Sequence, residues 1–171
     1  MNKIDSFSGR YEFLSNFYNC SVKFNGITYG HSEGAFQAQK TLNENQRLEI
    51  SKMTAGQSKR YCGRRGPITL RQDWEQVKDS IMYEVVKEKF SQNSDIRDKL
   101  LATGEAELVE GTTWHDNYWG NCTCDRCANI EGKNMLGKTL MKVRSELRIK
   151  EWTYGIKEEN LLHNWVWHEE L

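Results

Sequence analysis

The 171-residue chain carries 24 basic and 24 acidic residues and has a mean hydropathy of −0.79. This balance argues against a nucleic-acid coat protein and against a polybasic membrane binder. The length fits one domain, no apolar run approaches the roughly 20 residues of a membrane span, and the first residues lack the hydrophobic region of a signal peptide. We therefore expect a single cytoplasmic domain with no membrane contact.

The first predicted elements are a β-hairpin and a helix. Apolar residues alternate with polar ones over 20–24 and 27–30, and Asn25-Gly26 between them is typical of a two-residue hairpin turn. Ser32 then occupies the position of an N-cap, which predicts a helix over 33–42.

Apolar residues at intervals of three and four predict further helices downstream. The longest is expected over 71–90, and others over 44–53, after Thr54, over 94–101 with Ser94 as the cap, and over 133–148. A short extended piece at Leu108-Val109 and a loop over 111–120 separate the last two of these. We predict a predominantly α-helical single domain with a small β-hairpin near the N-terminus, on the border of the α+β class.

One stripe of the predicted helix over 33–42 carries chemically active side chains. At about 100° per residue, Glu33, Gln37 and Lys40 fall within roughly 60° of one another. An acid, an amide and an amine on one face suit a helix that presents catalytic groups to a cleft. The alternative is a surface helix with solvated charges, worth a few tenths of a kcal/mol.

A second group of active side chains lies in the predicted loop, in the run Trp114-His115-Asp116-Asn117-Tyr118-Trp119-Gly120. Loops carry function more often than regular elements do, and a carboxylate beside indole rings suits general acid or base catalysis. Asp116 is therefore a second candidate acid. Alternatively, the aromatic residues close one end of the core and Asp116 caps a turn.

Basic residues cluster between 59 and 71, where the chain has Lys59, Arg60, Arg64, Arg65 and Arg71. Guanidinium groups bind phosphate well when two or more converge. Charge runs are also common on solvated faces, so both interpretations stay open.

The five cysteines of the chain include three within six residues, Cys122, Cys124 and Cys127. An odd number of cysteines in a reducing compartment argues against a disulfide framework. His115 lies seven residues before the first of the three, so a four-ligand zinc site is geometrically feasible, although the spacing matches no standard zinc finger. Three free thiols are the alternative.

Several sequence blocks between about residues 9 and 148 occur in a distinctive order. They include Phe13-Leu14-Ser15-Asn16-Phe17, Glu33-Gly34-Ala35-Phe36-Gln37-Ala38-Gln39-Lys40, Arg71-Gln72-Asp73-Trp74, Leu100-Leu101-Ala102-Thr103-Gly104, Leu108-Val109-Glu110, Asp116, Tyr118-Trp119-Gly120 and Asn134-Met135-Leu136-Gly137. In order and spacing they resemble the NADAR domain family, also called YbiA-like and associated by name with NAD and ADP-ribose. The chain has Gly34 where many members have histidine, and only some members share its cysteine cluster.

The resemblance implies a domain over 1–148 and leaves 149–171 as a C-terminal extension, which we expect to pack on the same domain. It also implies hydrolysis of the N-glycosidic bond between a ribose C1 and a base nitrogen. The first substrate class is ADP-ribose attached to guanine in nucleic acid or nucleotides, which involves transient contact with modified DNA or RNA. The second is the early ribosylaminopyrimidine phosphates of the riboflavin pathway. No cofactor is expected for catalysis, and zinc would be structural.

This chemistry assigns roles to the candidate residues. Glu33 and Asp116 are the acid–base groups, and Lys40 is either a nucleophile that forms a Schiff base with the ribose or a clamp on the sugar. The expected substrate-binding residues are Arg10, Arg60 and Arg64 for phosphate, Asn16 and Asn134 for ribose hydroxyls, Trp74 and Trp119 for ring stacking, and Ser15, Phe17, Gln37, Tyr118 and Gly120 around them. Trp74 lies on the long apolar helix, where a core position is the alternative.

Two rival functions from other classes remain. The protein could be a module that binds ADP-ribose or NAD without turnover. Lys40→Ala would distinguish the two, because a binding module would lose affinity or nothing, whereas an enzyme would lose turnover with its substrate still bound. It could also be a zinc-dependent nucleic-acid interaction domain built on the three cysteines. Its balanced charge argues against that function.

Overall fold

A computed structural model describes the backbone of residues 2–166 and the side chains of residues 2–150. Within this part of the chain, six short strands and six α-helices occur together with two 3₁₀ helices. In chain order they are β1 (Lys3–Ile4), a 3₁₀ helix (Gly9–Leu14), β2 (Asn19–Phe24), β3 (Ile27–His31), α1 (Ser32–Ala38), α2 (Glu44–Ile50), α3 (Ala55–Tyr61), α4 (Trp74–Gln92), α5 (Ser94–Ala102), β4 (Glu107–Leu108), β5 (Gly111–Thr112), β6 (Asn121–Cys122), a 3₁₀ helix (Asp125–Cys127) and α6 (Met135–Val166). The predicted fold class is confirmed.

The predicted hairpin is present as the antiparallel pair β2 and β3. Phe24 pairs with Ile27 across the turn, and Asn25 and Gly26 have φ angles of 47° and 81°. Two consecutive residues with positive φ define the type I′ turn, which the Asn-Gly pair favours because both residues tolerate that conformation. The four other strands form two small parallel pairs, β1 with β4 and β5 with β6.

Helix α4 is the centre of the core. It packs against β2, α1, α5 and α6, and its apolar face buries Met82, Val85, Val86 and Phe90. Full burial of an apolar side chain of this size contributes about 1.5–3 kcal/mol before the entropy of ordering is subtracted. This helix therefore provides the rigid base on which α1 rests.

Helix α1 begins differently from the prediction, because His31 is its N-cap and Ser32 is already helical. His31 Nδ1 accepts a hydrogen bond of 2.8 Å from the Gly34 amide, and Nε2 lies 2.9 Å from the Met53 carbonyl oxygen. The imidazole thus satisfies one of the free amides at the start of the helix and also ties α1 to the turn after α2.

Helix α1 also ends earlier than the predicted 33–42. The chain tightens into a turn after Ala38, where the Gln39 amide donates to the Phe36 carbonyl oxygen at 3.1 Å. The Lys40 carbonyl oxygen then accepts a bond of 2.8 Å from the Arg71 amide. These bonds end α1 after Ala38 and tie the residues that follow it to the segment before α4.

Ser94 was predicted as the cap of α5, and this is wrong because Ser94 lies in the first turn. Asn93 occupies the N-cap position with an extended backbone. Its amide group donates to the carbonyl oxygens of Ser21 and Lys89, at 2.9 and 2.8 Å, and makes no cap bond. The Asn93 side chain thus bridges β2 and the end of α4 instead of capping α5.

Helix α6 begins at Met135 and continues to Val166, beyond the predicted 133–148. Its first half buries Leu136, Leu140, Val143 and Leu147 in the core. The predicted packing of 149–171 concerns mainly side chains outside the described residues, among them Trp165, Val166 and Trp167. No helix in the described part of the chain is long and apolar enough to cross a membrane.

Candidate active site

A cleft of about 750 Å³ opens between α1, the first half of α4 and the loop that follows β4. All three candidate catalytic residues, Glu33, Lys40 and Asp116, line it. So do seven of the expected substrate-binding residues, namely Ser15, Asn16, Phe17, Gln37, Trp74, Tyr118 and Trp119. The stripe on α1 therefore faces the cleft, as its spacing suggested.

Glu33 is the acid of the stripe and is buried, with 6% of its surface exposed. Its Oε1 accepts a hydrogen bond of 2.8 Å from Gln37 Nε2. Burial raises the pKa of Glu33, and the bond from Gln37 with the nearby lysines opposes this only in part. A carboxyl in this setting holds its proton at higher pH than an exposed glutamate does and can deliver it to a leaving group.

Lys40 ends the stripe at the point where the chain leaves α1. Its Nζ lies 3.4 Å from the Cys62 carbonyl oxygen and 5.8 Å from the centre of the Trp74 ring. Burial lowers the pKa of Lys40, and the positive charge of Lys59 acts in the same direction. A lower pKa increases the fraction of neutral amine, the form that attacks carbon.

Glu110 is a third acid of the cleft and was given no role in the sequence analysis. Burial, followed by the negative charges of Asp116 and Glu33, raises its pKa to about 7. The backbone amide of Glu110 donates to Asn134 Oδ1 at 3.0 Å. This bond holds Glu110 in place between β4 and β5. The available signal was its place in the block Leu108-Val109-Glu110, an acid directly after two buried apolar residues.

The Glu110 carboxyl should make stability depend on pH. Its pKa of about 7 lies above the ordinary 4.5, so between these values the folded protein binds more protons than the unfolded chain. The free energy of unfolding should therefore fall by up to about 3 kcal/mol as the pH rises through this window. Glu110→Gln should flatten that fall in urea unfolding at pH 5 and pH 8. The control is Glu107→Gln, an exposed position of β4, and equal pH dependence in both variants would contradict the prediction.

Asp116 caps a turn as well as lining the cleft. Its Oδ1 accepts bonds from the amides of Tyr118 and Trp119, at 3.1 and 2.9 Å. Trp119 in turn packs edge-on against Phe36 of α1, with ring centres 5.3 Å apart. The turn-capping alternative and the acid candidate are thus compatible, because the same carboxylate shapes the loop that covers α1.

Aromatic rings form the walls of the cleft. Trp74 is 7% exposed and packs against Phe36 at 5.2 Å between ring centres, so it serves the core and the cleft together. At the mouth, Phe17 and Trp114 are 44% and 57% exposed. Lys59 Nζ lies 5.6 Å from the centre of each of these rings. Trp114 was not among the expected substrate-binding residues, and Lys59 belongs to the basic cluster for which phosphate binding was one of two interpretations.

The three arginines expected to bind phosphate lie outside this cleft. Arg10 is exposed and covers the ring of Tyr11 at 4.6 Å, and Arg60 and Arg64 are exposed at the end of α3 and in the loop after it. The cations that line the cleft are lysines instead: Lys40, Lys59 and Lys78. Lys78 lies 4.1 Å from the centre of the Tyr118 ring and forms an ion pair with Glu75.

Gly120 and Asn134 also lie behind the cleft instead of lining it. A Cβ atom on Gly120 would lie 2.4 Å from the Glu110 carbonyl oxygen, so the absence of a side chain allows two backbone segments to touch. Asn134 Nδ2 donates to the Leu108 carbonyl oxygen at 2.8 Å, while its Oδ1 holds the Glu110 amide. Both residues support Glu110, and both amide atoms of Asn134 are bonded to the backbone.

The four predicted metal ligands, His115, Cys122, Cys124 and Cys127, are brought together next to the loop. Their ligand atoms lie within 4.8 Å of one another. None of the four is among the residues that line the cleft. They can hold a metal beside the site without touching a substrate in it.

Comparison with known proteins identifies the family. The model of the NADAR domain matches residues 5–148. The chain belongs to the NADAR domain family. One NADAR relative, N-glycosidase YbiA of Shigella boydii, is 40% identical over 146 residues, which cover 85% of this chain and 88% of that protein. Riboflavin biosynthesis protein VVA0006 of Vibrio vulnificus is 34% identical over 136 residues, or 80% of this chain and 35% of that protein.

A solved structure agrees with this membership. The NMR structure of YbiA from Escherichia coli is similar with a TM-score of 0.73 and 37% sequence identity, over 89% of each chain. The resemblance that the sequence blocks carried is therefore confirmed. The family match over residues 5–148 includes the hairpin, the helical core and the cleft loop.

Proposed function

We propose that this protein is an N-glycosidase that hydrolyses the bond between a ribose C1 and a base nitrogen. The observation that carries the proposal is one aromatic-walled cleft containing Glu33, Glu110 and the partly desolvated amine of Lys40. Relatives named N-glycosidase YbiA support it. Glycoside cleavage requires two acid–base groups of different proton affinity around one bond, and this cleft holds candidates for both.

Each acid has a task in this reaction. As the bond breaks, positive charge develops on the sugar and negative charge on the departing base. Glu33, whose pKa is raised by burial, donates a proton to the base nitrogen. Glu110, with a pKa of about 7, accepts a proton from the attacking water. Asp116 adds negative charge near the sugar and holds Trp119 in place.

Lys40 provides a covalent route for substrates whose base nitrogen is an exocyclic amine. Ring opening of the ribose leaves a C1=N bond to the base, and the Lys40 amine adds to C1. The base nitrogen takes a proton from the acid and leaves, which forms a C1=Nζ iminium. Water then adds to C1, the amine of Lys40 is released, and the free sugar closes its ring.

Other polar groups of the cleft fit the rest of such a substrate. Gln37 Oε1 is buried and, within the described part of the chain, has no hydrogen-bond partner, so it can accept a ribose hydroxyl. Lys59 and Lys78 replace the expected arginines as phosphate ligands. Trp119, which packs against Phe36 of α1, offers an indole ring for the flat base. The cleft volume of about 750 Å³ suits a nucleotide-sized ligand.

The proposed substrate is ADP-ribose attached to guanine in nucleic acid or nucleotides. The name of the Vibrio vulnificus relative favours a second candidate, a ribosylaminopyrimidine phosphate of the riboflavin pathway. Both compounds join a ribose, a phosphate and a flat ring through an exocyclic amine. They differ in length, because the ADP-ribose carries a second phosphate and an adenosine that must extend beyond the lysines at the mouth.

The experiment incubates the protein with an ADP-ribosylated guanine oligonucleotide and, separately, with a ribosylaminopyrimidine phosphate, and follows base and sugar by mass spectrometry. Release of unmodified guanine strand together with free ADP-ribose supports the first substrate. Release of the aminopyrimidine alone supports the second. If the wild type releases no more product from either substrate than Glu33→Gln does, the hydrolase proposal is overturned.

A further inference from the structure

Four side chains that bind transition metals converge beside the cleft loop. His115 Nδ1 lies 3.2 Å from Cys124 Sγ and 3.5 Å from Cys127 Sγ, and all four ligand atoms, with that of Cys122, lie within 4.8 Å of one another. In a tetrahedral zinc site the same nitrogen–sulfur distance is about 3.5 Å and sulfurs lie about 3.8 Å apart. We propose that this cluster binds one structural zinc ion.

The backbone is arranged to assemble this cluster. The parallel pairing of β5 and β6 returns Cys122 to the segment that leads to His115, whose amide donates to Cys122 Sγ at 3.3 Å. A 3₁₀ turn joins the last two cysteines, with the Cys127 amide 2.8 Å from the Cys124 carbonyl oxygen. His115 has a φ of 64°, a left-handed conformation that is uncommon for residues other than glycine.

The donor set selects the metal and its role. Three sulfurs and one imidazole in a compact arrangement match zinc better than the oxygen-seeking ions magnesium and calcium. Four protein ligands fill the tetrahedral shell and leave no position for water or substrate, which is the mark of a structural site. The cluster also lies outside the cleft lining, so the ion takes no part in bond cleavage.

The ion would fix the wall of the cleft. Trp114 and Asp116 flank His115 in the chain, and both line the cleft. On the other side, the Cys122 amide donates to Asn117 Oδ1 at 2.8 Å. Metal ligands therefore hold the loop at both ends, while Asp116 orders its interior through the Trp119 amide. This inference stands independently of the proposed reaction.

Zinc content is the direct test. Untagged protein, purified in a reducing buffer without added metal, should contain about one zinc per chain by elemental mass spectrometry. Cys124→Ser should lose most of this zinc, because Cys124 is a partly exposed ligand whose replacement leaves the core intact. The matched control, Cys20→Ser on β2, should keep it. Circular dichroism of both variants verifies that each is folded.

Cobalt replacement and chelation give readouts that do not depend on activity. Metal-free wild type loaded with cobalt(II) should show the visible and near-ultraviolet bands of a tetrahedral thiolate site, and Cys124→Ser should not. A chelator should lower the thermal midpoint of the wild type and of Cys20→Ser, but leave that of Cys124→Ser unchanged. Wild type that lacks zinc and shows no thiolate bands with cobalt would overturn the proposal, as would full zinc content in Cys124→Ser.

Discussion

Replacing Glu33 by glutamine is expected to lower turnover of the N-glycoside by about 100- to 10,000-fold, the range that a positioned acid–base group contributes. Glutamine keeps the shape of the side chain and can still accept the bond from Gln37 Nε2, which is 2.8 Å in length. It has no acidic proton for the leaving base. The loss should therefore appear in kcat, with substrate affinity and the thermal midpoint near those of the wild type.

The matched control for this substitution is Glu44→Gln, which removes an exposed carboxylate at the start of α2. Surface changes of this kind alter stability by no more than about 0.5 kcal/mol, so turnover should stay at the wild-type level. Single-turnover measurements with saturating substrate separate the chemical step from binding. A kcat for Glu33→Gln equal to that of the control would assign Glu33 to the support of α1 alone.

The elements that the sequence predicted well are those specified by neighbouring residues. The hairpin depends on Asn25-Gly26 and on alternation within two short strands, and both are local patterns. Helix α4 has enough turns for its apolar spacing to stand out, and its predicted and observed bounds differ by two or three residues. The stripe of Glu33, Gln37 and Lys40 also follows from helical spacing, which holds even though α1 ends before Lys40.

The details that the sequence did not reveal depend on distant contacts. His31 caps α1 because its second ring nitrogen meets the Met53 carbonyl oxygen, a pairing that no cap preference encodes. Asn93 fails to cap α5 for a similar reason, since Ser21 and Lys89 take its amide. In each case a tertiary hydrogen bond decides the end of a helix.

The acid Glu110 shows why part of the site could not be predicted. Its high pKa arises from burial and from the charges of Asp116 and Glu33, which approach it only in the folded chain. The residues that place it, Gly120 and Asn134, were expected to touch substrate instead. Small residues and amides are ambiguous in a sequence, because close backbone packing and ligand binding both favour them.

Two substitutions at Lys40 are expected to separate a covalent role from an electrostatic one. Lys40→Arg keeps the positive charge but lacks a primary amine that can add to C1, and Lys40→Ala lacks both. If Lys40 forms a Schiff base, both variants should lose turnover by about 1,000-fold or more, as removal of a nucleophile does elsewhere. Borohydride added during turnover should then attach the sugar to the wild-type peptide containing residue 40, and to no peptide of Lys40→Arg.

Other roles of Lys40 predict other results. A clamp on the sugar would leave Lys40→Arg with most of the wild-type turnover and give no trapped peptide in either protein. A module that only binds ADP-ribose would show weaker binding in Lys40→Ala and no product from any variant. Burial favours the covalent outcome, because it lowers the pKa of the amine and so increases the neutral form that attacks carbon. Below that pKa turnover should fall with the fraction of neutral amine, a dependence that a permanently charged clamp would not produce.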